Sequence, residues 1–141
     1  MTEIEKAYIA GLFDGEGTIC ISRAKRKTNK CGYEWRLLIK IAITDRRVLE
    51  YICDKSGIGR VNIFKQSGAL NGRYRPTWIW IVHSRNAIEF LYLIKDYLVI
   101  KQAQAKLGIE FQARKSKRTR NPEWQSGYAG RMRELNSRWG W

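Results

Sequence analysis

Two carboxylates, Asp14 and Glu16, stand in a glycine-framed turn at the end of a predicted helix. The glycines at positions 15 and 17 allow the chain to leave the helix abruptly. The helix macrodipole disfavours a carboxylate at this end by about 0.3–1 kcal/mol. A second carboxylate brought close would add repulsion, unless a divalent cation lay between the two. The same residues fit two interpretations: a metal site, and an ordinary capped helix that ends in a solvated Glu.

The helix that carries these carboxylates is predicted to begin near residue 3, because Thr2 and Glu5 have the spacing of a capping box. One stripe of this helix consists of small or short residues, namely Ala7, Ala10, Gly11 and Asp14. A glycine inside a helix costs about 1 kcal/mol relative to alanine, which is best understood if a second helix packs closely against Gly11. The stripe therefore predicts a dimer interface beside the carboxylates.

The composition points to a nucleic-acid partner. The 141 residues are 44% hydrophobic and carry a formal net charge of +14, which suits a folded protein that binds a polyanion. The Lys and Arg residues are concentrated in two segments. Residues 23–30 contain five of them and residues 55–88 contain six, and neither segment contains an acidic residue. No run approaches the roughly 18 apolar residues of a membrane span, and no signal-peptide pattern opens the chain. We expect a soluble intracellular protein of the cytoplasm or an organelle, not secreted and with no membrane partner.

The secondary-structure pattern indicates an α+β domain. Alternation with period two predicts strands at 18–23, 36–44, 60–66 and 77–82, and helical periodicity predicts helices at 45–57, 86–97, from 101 onward and at 123–139. We expect one domain over residues 1–141, with its core in 2–112 and a basic segment and C-terminal helix in 113–141. The four strands should form an antiparallel sheet with helices on one face only. Whether Trp78 and Trp80 or Ile79 and Ile81 face the core stays open.

The other face of the predicted sheet carries basic and amide side chains, which can read bases in a DNA major groove. Arg and Lys suit guanine, whereas Asn and Gln suit adenine. The predicted DNA contacts, including neighbouring loop residues, are Ser22, Arg26, Arg36, Lys40, Arg46, Arg47, Arg60, Asn62, Gln66, Arg73 and Arg75.

Two other kinds of chemistry are disfavoured by the cysteine and histidine content. Three cysteines without a Cys-x-x-Cys pair argue against disulfides and structural zinc, and a single histidine, His83, argues against a Ser-His-Asp triad.

Three segments resemble one protein family. Residues 9–17, Ile-Ala-Gly-Leu-Phe-Asp-Gly-Glu-Gly, resemble the signature of the LAGLIDADG homing endonucleases, with Glu16 at its metal-binding acidic position. Residues 97–104 resemble a second family segment, whose active-site lysine corresponds to Lys101. Between them, residues 43–47 and the Gly-Ile-Gly at 57–59 resemble the family's strand, helix and turn. The resemblance covers roughly residues 5–112.

The resemblance implies an αββαββα fold with a saddle-shaped sheet, and a homodimer because only one signature is present. It implies an intron-encoded enzyme that hydrolyses both strands of double-stranded DNA at a long, near-palindromic target. Glu16 and the backbone carbonyl of Gly15 would bind Mg²⁺, for which Mn²⁺ or Ca²⁺ can substitute in binding. Lys101 would act on the phosphate or the attacking water.

The resemblance leaves two points open. Asp45 stands where the family often has a water-positioning glutamine, so it either positions water or caps the following helix. The alternative functions are an intron RNA maturase, whose RNA would bind the basic residues 114–120 and the C-terminal helix, and a non-cleaving DNA-binding protein. The presence of both Glu16 and Lys101 argues against the second alternative.

Overall fold

The computed structural model describes residues 1–64, 76–115 and 123–137. Four strands and five helices follow one another in the order α1 (Glu3–Glu16), β1 (Gly17–Lys25), β2 (Tyr33–Ile43), α2 (Arg46–Ser56), β3 (Val61–Phe64), β4 (Thr77–His83), α3 (Ser84–Ile94), α4 (Gln102–Lys115) and α5 (Glu123–Ser137). A short 3-10 helix, Lys95–Tyr97, follows α3. The order up to α3 is αββαββα, which confirms the predicted α+β class.

The strands form one antiparallel sheet in the order β1-β2-β4-β3. The register pairs Ile19 with Ile39 and Ile41 with Trp80, so the residues predicted to face the core lie on the same side of neighbouring strands. Trp80 is completely buried. The tryptophans therefore lie on the inner face of β4, and the alternating Ile79 and Ile81 lie on the outer face.

The helices pack on the inner face of the sheet around an aromatic cluster. The rings of Trp80 and Phe90 are 4.6 Å apart between centroids, and those of Phe13 and Phe90 are 5.8 Å apart. The indole Nε1 of Trp80 donates a hydrogen bond to the carbonyl oxygen of Ile58 at 2.9 Å. Gly59 lies against the same indole at a φ of +78°, where a Cβ would be 2.5 Å from Nε1. Only glycine fits this turn, because both the space and the left-handed backbone exclude a side chain.

Two further interactions stabilise the fold at the two ends of the chain. Asn136 of α5 donates from Nδ2 to the carbonyl oxygen of Ile19 at 2.9 Å, so α5 satisfies a backbone group of the edge strand β1. At the other end of the chain, Thr2 and Glu5 form the predicted capping box of α1. None of the helices in the described ranges is long and apolar enough to cross a bilayer.

Candidate active site and nucleic-acid interface

Glu16 and Lys101 both lie at the C-terminal end of α1, close enough for the charge of Glu16 to act on Lys101. The ammonium of Lys101 donates to the backbone carbonyl oxygen of Asp14, two residues before Glu16. Glu16 is exposed, and its side chain has no hydrogen bond or ion pair within the described part of the chain. Burial lowers the pKa of Lys101, and the charges of Asp14 and Glu16 raise it only in part, so that this pKa lies below that of an ordinary lysine. The fold thus places an unpaired carboxylate near a partly desolvated cation.

Asp14 holds this arrangement together. Its carboxylate is 8% exposed and accepts three backbone N–H groups, from Val99 at 2.7 Å, Ile100 at 3.2 Å and Lys101 at 3.0 Å. These donors lie directly before α4, where the first N–H groups of a helix have no partners within the helix. An ionised carboxylate is well suited to such donors, because charge-assisted hydrogen bonds are stronger than neutral ones. Asp14 therefore fixes the segment that carries Lys101.

The predicted dimer stripe on α1 is divided by the fold. Ala10 is completely buried inside the chain, and Asp14 is engaged as described, so neither presents an open surface as the stripe had predicted. Helical periodicity predicted that the four small residues lie on one stripe, but one side of that stripe is buried inside the chain. Ala7 and Gly11 do remain exposed, and a Cβ built on Gly11 meets nothing within 4 Å.

The surface near Gly11 is apolar. Ile4 is 83% exposed, Tyr8 52%, Val99 80% and Ile100 52%. Val99 and Ile100 belong to the segment that Asp14 holds against the end of α1, so they extend the exposed face of this helix. Large aliphatic side chains exposed next to one another are typical of a surface that another protein covers.

A model of the LAGLIDADG endonuclease family matches residues 9–94, which include the second half of α1 and all four strands of the sheet. The chain belongs to the LAGLIDADG endonuclease family. Two solved structures have similar folds. The homing endonuclease I-CvuI, solved with DNA targets in the presence of Mg or Ca, is 22% identical, with a TM-score of 0.77 over 94% of this chain and 82% of I-CvuI.

The archaeal intron-encoded homing endonuclease I-Vdi141I, solved in complex with DNA, gives a TM-score of 0.75 at 20% identity. The structural match covers 94% of this chain and 84% of I-Vdi141I. At these identities the similarity is one of fold, and it extends beyond the family match to the elements that carry Lys101. The family signature occupies the second half of α1 and ends at Gly17, where the helix ends and β1 begins.

The carboxylate at the end of α1 is the candidate metal ligand in this LAGLIDADG protein. In the part of the chain that the structure describes, no group of three or more His, Cys, Asp or Glu side chains could hold a metal ion. One chain offers the exposed carboxylate of Glu16, close to the last carbonyl groups of α1, which lack partners within the helix. Mg²⁺ is commonly held by one or two carboxylates together with phosphate oxygens and water. The exposed carboxylate of Glu16 therefore fits a magnesium ion that takes its other ligands from phosphate oxygens and water.

Asp45 caps α2, which answers one part of the question that the sequence left open. Its carboxylate accepts from the backbone N–H of Arg47 at 3.0 Å and from the Arg47 guanidinium at 2.7 Å. These hydrogen bonds hold the pKa of Asp45 below its usual value. Asp45, Arg47, Ile4 and Tyr8 line part of a cavity of about 570 Å³ between α1 and α2. Water positioning by Asp45 stays a hypothesis.

The outer face of the sheet carries several of the predicted DNA contacts. The register pairs Ser22 with Arg36, and Lys40 pairs with Thr18 on one side and Ile81 on the other. Asn62 pairs with Ile79 at the opposite edge. All of them alternate with core residues, as the period-two pattern had predicted. The predicted contacts Gln66, Arg73 and Arg75 lie outside the described residues.

Four of the predicted arginine contacts have acidic partners within the described part of the chain, one of them being Arg36, whose Nε lies 4.0 Å from Glu34. Arg26 lies beyond the end of β1 and donates to Glu34 at 2.6 Å. Arg46 forms an ion pair with Glu50 at 2.7 Å and lies over the ring of Trp78. Arg47 binds Asp45, yet 87% of its side chain is exposed. Arg60 is exposed in the turn before β3. Intramolecular pairs of this kind leave a guanidinium able to approach a phosphate, because exposed ion pairs are weak.

Sequence reasoning missed two features of this surface. Glu34 accepts from Arg26, and Lys115 of α4 lies 3.5 Å from the same carboxylate, so that the loop between β1 and β2 is tied to α4. The capping role of Asp14 was also missed, because its partners are 85 to 87 residues away. Neither relationship leaves a local signal, since the spacing between the partners has no helical or strand period.

Proposed function

We propose that this chain is a site-specific endonuclease that hydrolyses both strands of double-stranded DNA, in the manner of an intron-encoded homing endonuclease. The single observation that supports this most strongly is the placement of Lys101 beside the exposed Glu16 at the end of α1. The two residues are distant in sequence, and a stable fold does not require an unpaired carboxylate near a partly buried cation. An active site for phosphate chemistry does, because it needs to hold a metal ion and to stabilise negative charge.

We propose further that the active form is a homodimer. The exposed apolar side chains of Ile4, Tyr8, Val99 and Ile100 offer a surface for a second copy, and Gly11 allows two helices to approach closely. A twofold dimer presents the same contact surface twice, so the target should be long and near-palindromic. It would also bring two Glu16 carboxylates together, so that both chains could contribute to a metal site.

In this mechanism Glu16 of each chain and the backbone carbonyl of Gly15 would hold Mg²⁺, with Mn²⁺ or Ca²⁺ able to substitute in binding. The metal, when bound, supplies Lewis-acid stabilisation of the phosphate and lowers the pKa of a water molecule. Lys101 stabilises the charge that develops on the phosphate, and its lowered pKa reflects a partly dry position in which such an interaction is strong. The outer face of the sheet positions the duplex through residues such as Arg36 and Lys40.

The test needs a target, which can be obtained by selecting cleaved duplexes from a random library in the presence of magnesium. Glu16→Gln keeps the size of the side chain but removes the charge that would hold the metal. We expect it to lower cleavage of the selected duplex by at least about 10²-fold, while binding of that duplex persists. Glu3→Gln is the matched control, because Glu3 is an exposed carboxylate on the same helix.

Two outcomes would contradict the proposal. If wild type and Glu16→Gln cut the same duplex at similar rates, the activity does not reside at the end of α1. If the wild-type protein binds a selected duplex tightly yet never cuts it with magnesium or manganese, the chain is a DNA-binding protein without nuclease activity.

A further inference from the structure

The outer face of the sheet carries an aliphatic group that the predicted DNA contacts do not include. Leu38 of β2 and Ile79 and Ile81 of β4 alternate with the core residues of their strands, so they project away from the helices. We call these three residues the outer aliphatic band. They occupy the two central strands of the sheet, between Arg36 at one end of the face and Asn62 at the other.

The register places the members of this band next to one another. Leu38 pairs with His83 and Lys40 pairs with Ile81, which makes Leu38 and Ile81 diagonal neighbours on one face. Ile79 is two residues from Ile81 along β4 and pairs with Ala42. The three side chains are partly buried, yet they do not belong to the hydrophobic core or to the residues packed against it.

The surroundings of the band restrict what could cover it. Arg36 and Lys40 lie on the same face, and the chain as a whole carries a net charge of +14. A second protein with an apolar patch would have to desolvate these cations, which is costly without opposite charges. Duplex DNA matches both features, because its phosphates suit the cations and its major groove displays one apolar group, the C5-methyl of thymine.

We propose that Leu38, Ile79 and Ile81 read thymine methyl groups in the major groove of the target, so that each half-site has thymines opposite the centre of the sheet. The proposal rests on the DNA binding proposed above and adds the base class that these residues select. Hydrogen-bonding side chains such as Arg36 and Asn62 would read the flanking bases. The band would then distinguish thymine from cytosine by apolar contact, because cytosine has no methyl group to pack against the aliphatic side chains.

The expected size of the effect follows from the apolar area involved. Burying one methyl-sized group against an aliphatic side chain contributes about a fourfold gain in affinity. In a symmetric target the same contact occurs in both half-sites, so removal of both methyl groups should weaken binding roughly 15-fold. Uracil removes only the methyl group of thymine and keeps the hydrogen-bonding edge, which makes it a suitable probe.

The experiment uses the full chain and duplexes selected for binding from a random library in the presence of calcium. Each thymine of the selected duplex is replaced by deoxyuridine, one symmetric pair at a time, and the dissociation constant is measured. We expect a roughly 15-fold loss at one to three symmetric positions in the middle of each half-site, and little change at the others. Ile79→Ser, Ile81→Ser and Leu38→Ser remove every methyl group of the side chain and should each abolish the preference for thymine at one of these positions.

Ile63→Ser is the matched control. Ile63 is also half-exposed on a strand, but it pairs with Trp78 and therefore lies on the inner side of the sheet. This variant should keep the preference for thymine at every position. Because all four variants replace an aliphatic strand residue by serine, they share the same loss of strand propensity, and circular dichroism will verify that all four are folded.

The outcomes separate this inference from the proposed function. If the wild type binds the selected duplex but tolerates uracil at every position, the band does not read methyl groups, although DNA binding stands. If the preference for thymine persists in all three band variants, other residues read the methyl groups and the assignment is wrong. If no duplex can be selected at all, the proposed function fails and this inference fails with it.

Discussion

Asp14 and Lys101 are 87 positions apart in the chain and bind each other twice. The carboxylate of Asp14 accepts a hydrogen bond from the backbone N–H of Lys101 at 3.0 Å, and the ammonium of Lys101 donates to the backbone carbonyl oxygen of Asp14. This double connection fixes the start of α4 to the end of α1. The proposed catalytic pair, Glu16 and Lys101, therefore depends on a carboxylate that is itself buried.

The first prediction concerns that carboxylate. Asp14→Asn keeps the shape but removes the charge, and it places an NH₂ group where one set of backbone N–H donors needs an acceptor. We expect the free energy of unfolding to fall by about 2–4 kcal/mol, measured by denaturant titration. Asp96→Asn is the control, because the Asp96 side chain is 76% exposed, and it should change stability by less than about 0.5 kcal/mol. Equal losses in the two variants would contradict the capping role.

The second prediction separates catalysis from binding at Lys101. Lys101→Met keeps the length of the side chain but removes the cation that the proposed mechanism places beside the reacting phosphate. Because the charge on the phosphate develops mainly in the transition state, the cleavage rate should fall by about 10²-fold or more, with a much smaller change in affinity. Single-turnover cleavage and equilibrium binding of the same duplex measure the two quantities. Lys106→Met, on the exposed side of α4, should leave both unchanged. A loss of affinity as large as the loss of rate would make Lys101 a binding residue.

The third prediction tests the homodimer. A side chain at Gly11 meets nothing within 4 Å in one chain, so Gly11→Leu should not destabilise the monomer and should even favour α1 by up to about 1 kcal/mol. In a dimer the same side chain would separate the two helices, and we expect sedimentation to show monomers that no longer cleave. Gly127→Leu is a matched control, since Gly127 is an exposed helical glycine with the same open space. Wild-type protein that sediments as a monomer, both alone and on DNA, would exclude the two-chain site.

A fourth prediction concerns the charged side chains of the outer face. Affinity for duplex DNA should fall steeply with salt, by about 0.9 in log affinity per log salt for each phosphate contact. Lys40→Ala should cost about 1–3 kcal/mol of binding and relax specificity at one symmetric position if Lys40 reads a base. Arg26→Ala should change the stability of the fold by less than about 1 kcal/mol, because its ion pair with Glu34 at 2.6 Å is half-exposed. Equal losses on all sequences would instead make Lys40 a phosphate contact.

The fifth prediction is a pH dependence of stability that arises from Glu34. Burial raises the pKa of this carboxyl, but Arg26 and Lys115 outweigh burial, so the pKa in the folded state is lower than usual. A lowered pKa adds stability above the unfolded value of about 4.3 and loses it as the pH falls through the folded value. Near neutral pH, Glu34→Gln should therefore be less stable than wild type by about 1–2 kcal/mol.

The same two proteins should become equally stable in acid, below the usual range for a glutamate. Thermal unfolding from about pH 3 to about pH 7 measures this difference, and Glu110→Gln on the exposed side of α4 is the control for the loss of one carboxylate. A difference between wild type and Glu34→Gln that is constant with pH would show that the carboxyl contributes by packing rather than by charge.

The sequence alone determined the family, the order of elements and the alternation of side chains on the strands. These properties are local: the capping box of Thr2, the period-two pattern of β2 and the signature at residues 9–17 each depend on residues only a few positions apart. The position of Glu16 at the end of a helix followed from the same local rules. Its role as a metal ligand stays a prediction from the resemblance.

Only the tertiary structure decided which members of a stripe face the interior. Ala7 and Ala10 belong to the same predicted stripe, yet one is exposed and the other is completely buried, because helices and strands from distant parts of the chain pack against one side of α1. The same applies to Asp14, whose three donors belong to residues 99–101. The side of β4 that faces the core was also undecidable from alternation, since a period of two defines two faces without saying which one is covered. That choice, which buries Trp80, leaves Ile79 and Ile81 on the outer face, where the proposed contact with DNA is made.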